Sequence, residues 1–167
     1  MDLLSLRFRE VYTPCQKVCV DESLFRYRGR HHAVQYIPSK RARYGLKAYK
    51  VCETDGPATG YTSAMRMYMG DDQKGDTPVS HRIVRKLLRR ARLMDQFYEV
   101  YTDNWYSSPA LFHELQARGC AAIGTVRTNR KHMPKDLDVK KKGDKVIRSS
   151  PTGMLALSWR DKKQVII

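Results

Sequence analysis

The first half of the chain alternates apolar and polar residues with the period of β-strands. Residues 16–28 keep a period close to two and are rich in β-formers, which predicts a first strand that stops before Gly29. Residues 46–51 and 60–69 flank a turn at 54–57, and together they predict an antiparallel hairpin. The shorter pattern before residue 16 fits a lead-in helix or strand.

Helical spacing replaces this alternation after the polar segment 70–77. A helix is predicted to begin at Thr77 or Ser80, because the apolar residues that follow share one face: Val79, Ile83, Val84, Leu87, Leu88, Ala91 and Met94. A second helix is predicted to begin at Ser108-Pro109, where a hydroxyl can cap the first turn and proline fits its geometry. It ends at Gly119, a residue typical of helix C-termini.

Apolar runs around the second helix predict buried strands at residues 97–101, directly before Asp103, and at 120–126. From residue 128 the chain becomes strongly basic, and only short strands are predicted, at 145–148, 154–159 and 164–167. The order of elements therefore predicts an α/β fold. A mixed sheet with flanking helices occupies residues 1–127, and a basic β-rich segment occupies residues 128–167.

Composition narrows the class of protein and of partner. The chain has 167 residues, 41% of them hydrophobic, which is enough for one ordinary domain with a core. Lys and Arg total 32 against 17 Asp and Glu, and a net charge of +15 favours a polyanionic partner over none. No apolar run approaches the roughly 20 residues of a spanning helix, so a membrane is not expected. The four cysteines lack zinc-site spacing, and we expect them to be reduced thiols.

Two carboxylates are candidates for metal chemistry. Asp21 lies inside the first predicted strand, and Asp103 follows a later one. If these strands are neighbours, both carboxylates can face one Mg²⁺ ion, which prefers oxygen ligands and keeps several waters. Two such ions, roughly 3.5–4 Å apart, can support phosphoryl transfer. Taken alone, the pair favours a structural interpretation, in which Asp21 caps a bulge and Asp103 caps the following turn, because paired acids are common in sequences.

Basic residues form two clusters around this pair. Lys40, Arg41, Arg43 and Lys47 surround Tyr44, and Arg127, Arg130 and Lys131 follow a predicted strand; Arg28 belongs with the first group. Such clusters bind phosphates without reading bases. We predict that they contact DNA, the alternative being a solvated basic face. The Trp105 and Tyr106 side chains could stack on an unpaired base or pack in the core.

Four stretches of the sequence resemble the piggyBac transposase family, and most closely the domesticated vertebrate piggyBac-derived proteins. They are VDESLFRYRGR at 20–30, QYIPSKRARYGLKAYKVCE at 35–53, YEVYTDNWYSSPALFHELQARGCAAIGTVRTNRKHMPKDL at 98–137 and LALSWRDKKQV at 155–165. They occur in the expected order and spacing over nearly the whole chain. The resemblance implies a ribonuclease H-like fold that cleaves and transfers DNA strands at a DDE-type site.

Matched residue by residue, the resemblance places Asp21 and Asp103 on the first two catalytic, metal-binding aspartates. It implies Mg²⁺ or Mn²⁺ as cofactor, DNA as partner, a homodimer in the intact family and a nuclear location. Residues from about 128 resemble the start of the family's insertion domain. The third aspartate of the family lies further downstream than these stretches, so we expect weak metal binding and little cleavage by this chain alone. The alternative is a domesticated DNA- or chromatin-binding protein without catalysis.

Overall fold

The computed structural model describes residues 2–70 and 75–167, so residues 71–74 of the predicted polar segment lie outside the described residues. Its helices and strands, in chain order, are α1 Asp2–Val11, β1 Lys17–Arg26, β2 Val34–Tyr36, β3 Tyr44–Glu53, β4 Thr62–Met67, α2 Val79–Ala91, β5 Glu99–Thr102, α3 Pro109–Ala117, β6 Ala121–Gly124, β7 Lys145–Ser149, β8 Leu155–Arg160 and β9 Gln164–Ile166. The expected lead-in element is therefore the helix α1.

The main sheet is mixed, as the element order predicts. Its strands follow the order β2-β3-β1-β5-β6, and β4 pairs with β3 beside β2. The predicted hairpin is confirmed, because β3 and β4 pair antiparallel. β1 is antiparallel to β3 but parallel to β5, and β5 is parallel to β6. Chain reversal through helices α2 and α3 makes these parallel neighbours possible.

The hydrophobic core lies between this sheet and α2. On β1, Val18 and Val20 are buried, whereas Lys17, Cys19 and Asp21 are more exposed, which is the alternation that the sequence predicts. The predicted apolar face of α2 is confirmed: Ile83, Val84, Leu87, Leu88 and Ala91 are buried, and Val79 and Met94 pack against them. At roughly 25 cal/mol per Å² of buried apolar surface, this layer supplies the main stabilising free energy of the sheet.

Helix α3 forms as its capping signal predicts. The Ser108 hydroxyl accepts a hydrogen bond from the Leu111 N–H at 3.2 Å, and Pro109 occupies the first helical position. Leu111 and Leu115 are buried beneath the helix. Gly119 follows at φ 66°, a left-handed conformation that glycine adopts without strain, and it leads the chain into β6.

One sequence prediction is wrong at its first residue. Phe97 was expected to begin a buried strand, but its side chain is 76% exposed. Asp95 and Phe97 both have positive φ, at 63° and 56°, so the chain turns here and β5 begins only at Glu99. The Gln16 side-chain amide donates to the Phe97 carbonyl at 3.1 Å and holds this turn.

A second sheet of three antiparallel strands, in the order β7-β8-β9, contains all of the strands predicted after residue 128. It is joined to the main body by a hydrogen bond of 2.9 Å from the Val126 N–H to the Ile166 carbonyl and by one of 3.0 Å from the Gln116 amide to the Thr152 carbonyl. The boundary between residues 127 and 128 stays a prediction. Within the described ranges, no helix is both long and apolar enough to cross a membrane.

Candidate metal centre and nucleic-acid interface

The two candidate carboxylates lie on neighbouring parallel strands. Val20 of β1 and Thr102 of β5 are register partners, and Asp21 and Asp103 are the next residues of the two chains. Adjacent strands are about 4.8 Å apart, so the two backbones carry their carboxylates side by side. Asp21 and Asp103 are both exposed to solvent. The condition that the sequence left open, that the two strands be neighbours, is met.

Each carboxylate has one oxygen bound to the backbone. The Glu22 N–H donates to Asp21 Oδ1 at 2.7 Å. The Trp105 and Tyr106 N–H groups donate to Asp103 Oδ1 at 2.9 and 3.4 Å, so Asp103 does cap the turn that follows β5. Capping and metal binding are compatible, because these bonds fix the orientation of the carboxylate and engage only Oδ1.

Buried hydroxyl groups brace the turn that carries Asp103. Ser107 and Thr102 are both buried, and their side-chain oxygens lie 2.8 Å apart. The Ser107 hydroxyl also donates to the Asp103 carbonyl at 2.8 Å. Gly124 of β6 packs so closely that a Cβ there would lie 2.6 Å from the Ser107 oxygen. The turn after β5 is therefore held from beneath as well as through the Asp103 side chain.

A third carboxylate, Glu22, lies close to the pair. Its side chain is 22% exposed, the Tyr106 hydroxyl donates to it at 3.4 Å, and Lys40 Nζ lies 4.0 Å from its other oxygen. Burial raises the pKa of Tyr106, and the negative charges of Glu22, Asp21 and Asp103 raise it further. Tyr106 is thus a neutral hydrogen-bond donor at the inner edge of an acidic site.

The donor set fits a hard divalent cation that keeps part of its water. Mg²⁺ is commonly bound by one or two carboxylates together with substrate phosphates. In the part of the chain that the structure describes, no group of three or more His, Cys, Asp or Glu side chains is arranged to hold a metal ion. Asp21 and Asp103, each with Oδ2 outside the backbone bonds above, would be the two protein ligands. Glu22 is directed to Tyr106 and Lys40.

Positive charge and aromatic rings border the acidic pair. Lys50 of β3 is the register partner of Asp21. Tyr49 is buried and stacks on Trp105, with ring centroids 5.9 Å apart and planes 7° apart. The Lys47 ammonium lies 4.8 Å from the Tyr49 ring centroid and 5.3 Å from that of Trp105. Of the two roles open to Trp105 and Tyr106, the structure shows packing: Tyr106 is buried and Trp105 is half-buried against Tyr49.

Two of the predicted DNA-binding arginines contact the turn after β5. Arg130 donates to the Asn104 carbonyl at 3.0 Å and to the Trp105 carbonyl at 2.6 Å. Arg127 donates to the Asn104 side-chain oxygen at 3.2 Å. These residues therefore position the loop of Asp103. Lys131, the third member of the cluster, is exposed.

The other predicted cluster divides into two parts. Arg28, Arg41 and Arg43 line one open groove together with Arg26 and Tyr44. Lys40 and Lys47 lie instead at the acidic site, beside Glu22 and over the Tyr49 ring. The structure thus places Asp21 beside Asp103, Lys40 beside Glu22, and Lys47 over the Tyr49 and Trp105 rings. The DNA contacts predicted for all eight basic residues stay predictions.

Glu22, Lys50 and Tyr49 are further residues of this site, and the sequence alone predicts no role for them. A signal for Glu22 was present, since the alternation of Val18 and Val20 places it on the core face of β1, where a carboxylate needs a partner. Lys50 and Tyr49 become neighbours of the site only through the register of β1 with β3. That register cannot be read from β1 alone.

A model of the Transposase IS4 family matches residues 1–167. The chain belongs to this transposase family. Its fold is also similar to that of a piggyBac transposase, solved by cryo-EM as a synaptic complex with hairpin DNA, with a TM-score of 0.85 and 26% sequence identity. The similarity covers 99% of this chain and 35% of the other, so this chain spans about a third of that transposase.

The piggyBac resemblance deduced from the sequence is thereby confirmed. The predicted fold class is confirmed as well: the mixed sheet with flanking helices matches the transposase structure and is consistent with a ribonuclease H-like fold. Transposases of the DDE type generally use divalent metal ions, which is the class of cofactor that the carboxylate pair fits.

Proposed function

We propose that this chain supplies two metal-binding carboxylates of a DNA strand-cleaving and strand-transferring site, the activity of a DNA transposase. The observation that carries the proposal is the placement of Asp21 and Asp103 one residue beyond the register partners Val20 and Thr102 on parallel strands. Asp103 follows the carboxyl end of β5, and Asp21 lies in β1 just beyond the last residue that pairs with β5. Ligands of open α/β sheets collect where parallel strands end in this way.

The chain's own residues orient the reacting groups. Asp21 and Asp103 would hold Mg²⁺ or Mn²⁺, which when bound activates an attacking oxygen and stabilises the leaving oxygen of a phosphodiester. The backbone N–H groups of Glu22, Trp105 and Tyr106 fix the two carboxylates. Arg130 restrains the loop through the carbonyls of Asn104 and Trp105. Preorganised charges of this kind lower the cost of reaching the transition state.

The distribution of charge supports DNA as the substrate. The arginine-lined groove of Arg28, Arg41 and Arg43 and the exposed Lys131 add to a chain whose net charge is +15. Phosphate contacts by Lys and Arg give affinity that falls steeply with salt. The similar piggyBac transposase was solved with hairpin DNA, which favours the same polyanion for this chain.

Manganese binding tests the carboxylate assignment. Electron paramagnetic resonance of Mn²⁺ titrated with the chain measures the free ion directly. We expect Asp21→Asn and Asp103→Asn each to weaken binding by about tenfold or more, since even loss of an outer-shell partner costs that much. The matched control is Asp161→Asn, because Asp161 is an exposed aspartate paired with Lys142 at 3.4 Å, away from the sheet edge. Equal Mn²⁺ affinity of the wild type and all three variants would contradict the proposal that Asp21 and Asp103 bind the metal.

A second candidate function is DNA binding without strand cleavage. It is favoured by the arginine groove, where the phosphate-binding charges lie apart from the acidic pair. The double variant Asp21→Asn, Asp103→Asn separates the two functions. If a complex of the chain with the rest of a transposase cleaves DNA, this variant abolishes cleavage. If the chain only binds DNA, the variant leaves its one measurable activity, salt-dependent binding, unchanged.

The proposal extends to location and assembly. A transposase acts on chromosomal DNA, so we propose a nuclear location and, in the full assembly, a homodimer. Fluorescence microscopy of a tagged chain and light scattering in the presence of DNA test these two points. Exclusion of the tagged chain from the nucleus would contradict the first, and a monomeric complex on DNA would contradict the second.

A further inference from the structure

A groove lined by arginines lies at the end of β1, beyond Asp21. Arg26, Arg28, Arg41 and Arg43 surround it, and Tyr44 forms part of its wall. Tyr44 also borders an adjoining hollow that is lined by Tyr27, Arg28, Gly29 and Val34. The groove is thus an exposed surface that combines positive charge with aromatic rings, and none of its lining residues takes part in the carboxylate site.

Tyr44 of the groove wall forms a solvent-exposed ring pair with a second tyrosine, Tyr36. Tyr36 of β2 and Tyr44 of β3 are register partners, with ring centroids 4.7 Å apart and planes inclined by 36°. Each is 55% exposed, which is unusual for a large aromatic side chain that packs on a neighbour. The strand pairing holds the two rings in place, so an incoming planar group would meet a surface that is already ordered.

Within the part of the chain that the structure describes, the arginines of the groove have no carboxylate partner. Across residues 2–70 and 75–167, no ion pair joins Arg26, Arg28, Arg41 or Arg43 to a carboxylate. Several surface basic residues elsewhere do have such partners, for example Lys17 with Asp55 and Arg148 with Asp136. Four close guanidinium groups repel one another, and an anion that bridges them relieves the repulsion.

We propose that this groove binds unpaired nucleotides of single-stranded DNA, with a base stacked on Tyr44 and its flanking phosphates held by the arginines. Single-strand sites combine a basic groove with aromatic platforms because every base has a π-face. In a duplex the bases are stacked on one another and cannot reach the rings. The inference rests on the proposed function for DNA as the partner, and it adds that the strand is unpaired at this place.

The position of the groove suits a strand that also reaches the carboxylates. Arg26 lies five positions after Asp21 on β1, a distance of about 16 Å along an extended strand. A few nucleotides span that length. The unpaired segment would therefore lie close to the phosphodiester held at Asp21 and Asp103, and the groove would bind the end or the opened tip of a DNA molecule.

Fluorescence anisotropy with one labelled oligonucleotide of about 12 nucleotides, used as a single strand and as a blunt duplex at equal salt, tests the inference. We expect Tyr44→Ala to weaken single-strand binding by about fivefold or more and to leave duplex binding nearly unchanged. Tyr44→Phe keeps the ring and should bind like the wild type. Phe97→Ala is the matched control. Phe97 is also an exposed aromatic ring, but it precedes β5, whereas Asp103 follows that strand.

Equal loss of both forms, or no loss of either, in Tyr44→Ala would overturn the stacking proposal while leaving DNA binding by the chain intact. Failure of the wild type to bind either form would overturn the proposed DNA contact as well. A second measurement does not depend on a variant folding. A single strand that carries 5-iododeoxyuridine should crosslink on irradiation to the peptides that contain Tyr36 and Tyr44, and crosslinking only to other peptides would contradict the proposal.

Discussion

Val20 and Thr102 are register partners on the parallel strands β1 and β5, and both are buried. Their burial fixes the pairing, because a slip of one residue would turn each side chain to the other face of the sheet. The next residue of each chain is an exposed aspartate, Asp21 or Asp103. The core packing of two ordinary residues thus sets the relative position of the two carboxylates.

The close approach of β6 to the turn after β5 gives a first prediction. A Cβ at Gly124 would collide with the Thr102 carbonyl and lie 2.7 Å from the Thr102 hydroxyl. We expect Gly124→Ala to lower the free energy of unfolding by about 1–3 kcal/mol, the usual cost of overpacking. Gly75→Ala serves as control, because among the described residues a Cβ at Gly75 would meet the Arg82 side chain alone, at 3.4 Å. We expect this variant to change the free energy of unfolding by less than about 0.5 kcal/mol. Denaturant unfolding measures both, and equal stability of the two variants would contradict the packing described.

Arg130 and Lys131 are adjacent residues that should separate loop positioning from DNA contact. Arg130 holds two carbonyls of the Asp103 loop, whereas Lys131 is exposed. We expect Arg130→Gln to weaken Mn²⁺ binding by about tenfold, as loss of a positioning partner does. Lys131→Gln should leave Mn²⁺ binding unchanged. It should reduce the salt slope of DNA binding by about one, which corresponds to the loss of one phosphate contact. The assignment fails if the two variants have the same profile in both measurements.

Lys47 and Arg41 belong to one basic cluster in the sequence, but we expect them to contribute differently to DNA binding. The Lys47 ammonium lies over the Tyr49 and Trp105 rings, an interaction worth about 0.5–1 kcal/mol at a partly exposed site. Arg41 lines the open groove. We therefore expect Arg41→Gln to lower the salt slope of DNA binding by about one and Lys47→Gln to lower it less. Titrations over a range of salt concentrations decide this, and a larger effect of Lys47 would contradict the structure's division of the cluster.

Glu53 gives a prediction about pH. It is 1% exposed and accepts hydrogen bonds from the Cys15 N–H at 2.7 Å, the Tyr12 hydroxyl at 2.9 Å and the Ala58 N–H at 3.0 Å. Burial raises the pKa of Glu53, but these donors outweigh it, so the pKa lies below its ordinary value. Its stabilising contribution is therefore present above the ordinary glutamate pKa of about 4.3 and is lost as the pH falls through the lowered one.

Glu53→Gln should accordingly lower Tm by several degrees at neutral pH and flatten the dependence of Tm on pH in the acid range. Asp55→Asn is the control, because Asp55 forms an exposed pair with Lys17 and such pairs contribute little. Circular dichroism melts at neutral and acidic pH measure both variants. A Glu53→Gln protein as stable as the wild type at neutral pH would show that the three hydrogen bonds are not needed.

The sequence predicts the elements of this fold better than it predicts their pairing. Alternation around Val18 and Val20, the apolar face of α2 and the capping serine Ser108 are local signals, and each is confirmed. The exposure of Phe97 was missed because a turn with positive φ at non-glycine residues leaves no compositional signal. Asp21 and Asp103 were found as candidates, but their juxtaposition depends on strand pairing between residues that are far apart in the chain.

The same limit explains the basic residues. The charge of Arg130 can be read from the sequence, so a contact with DNA is predicted for it. Its hydrogen bonds to the Asn104 and Trp105 carbonyls depend on the path of the chain after β6, which brings Arg130 back to the turn after β5. Glu22, by contrast, could have been noticed from its place on the core face of β1. Local periodicity is thus informative about burial, and contacts between distant segments require the structure.

Cleavage of the polypeptide by bound iron tests the central claim most directly. Fe²⁺ takes the place of Mg²⁺ at carboxylate sites, and with ascorbate and peroxide it cuts the backbone near where it is bound. We predict cuts near Asp21 and near Asp103, suppressed by Mg²⁺ or Mn²⁺ and both absent from Asp21→Asn. Joint loss at two places 82 residues apart in sequence would show one shared site. Cuts elsewhere, or cuts near Asp103 that persist in Asp21→Asn, would contradict the account.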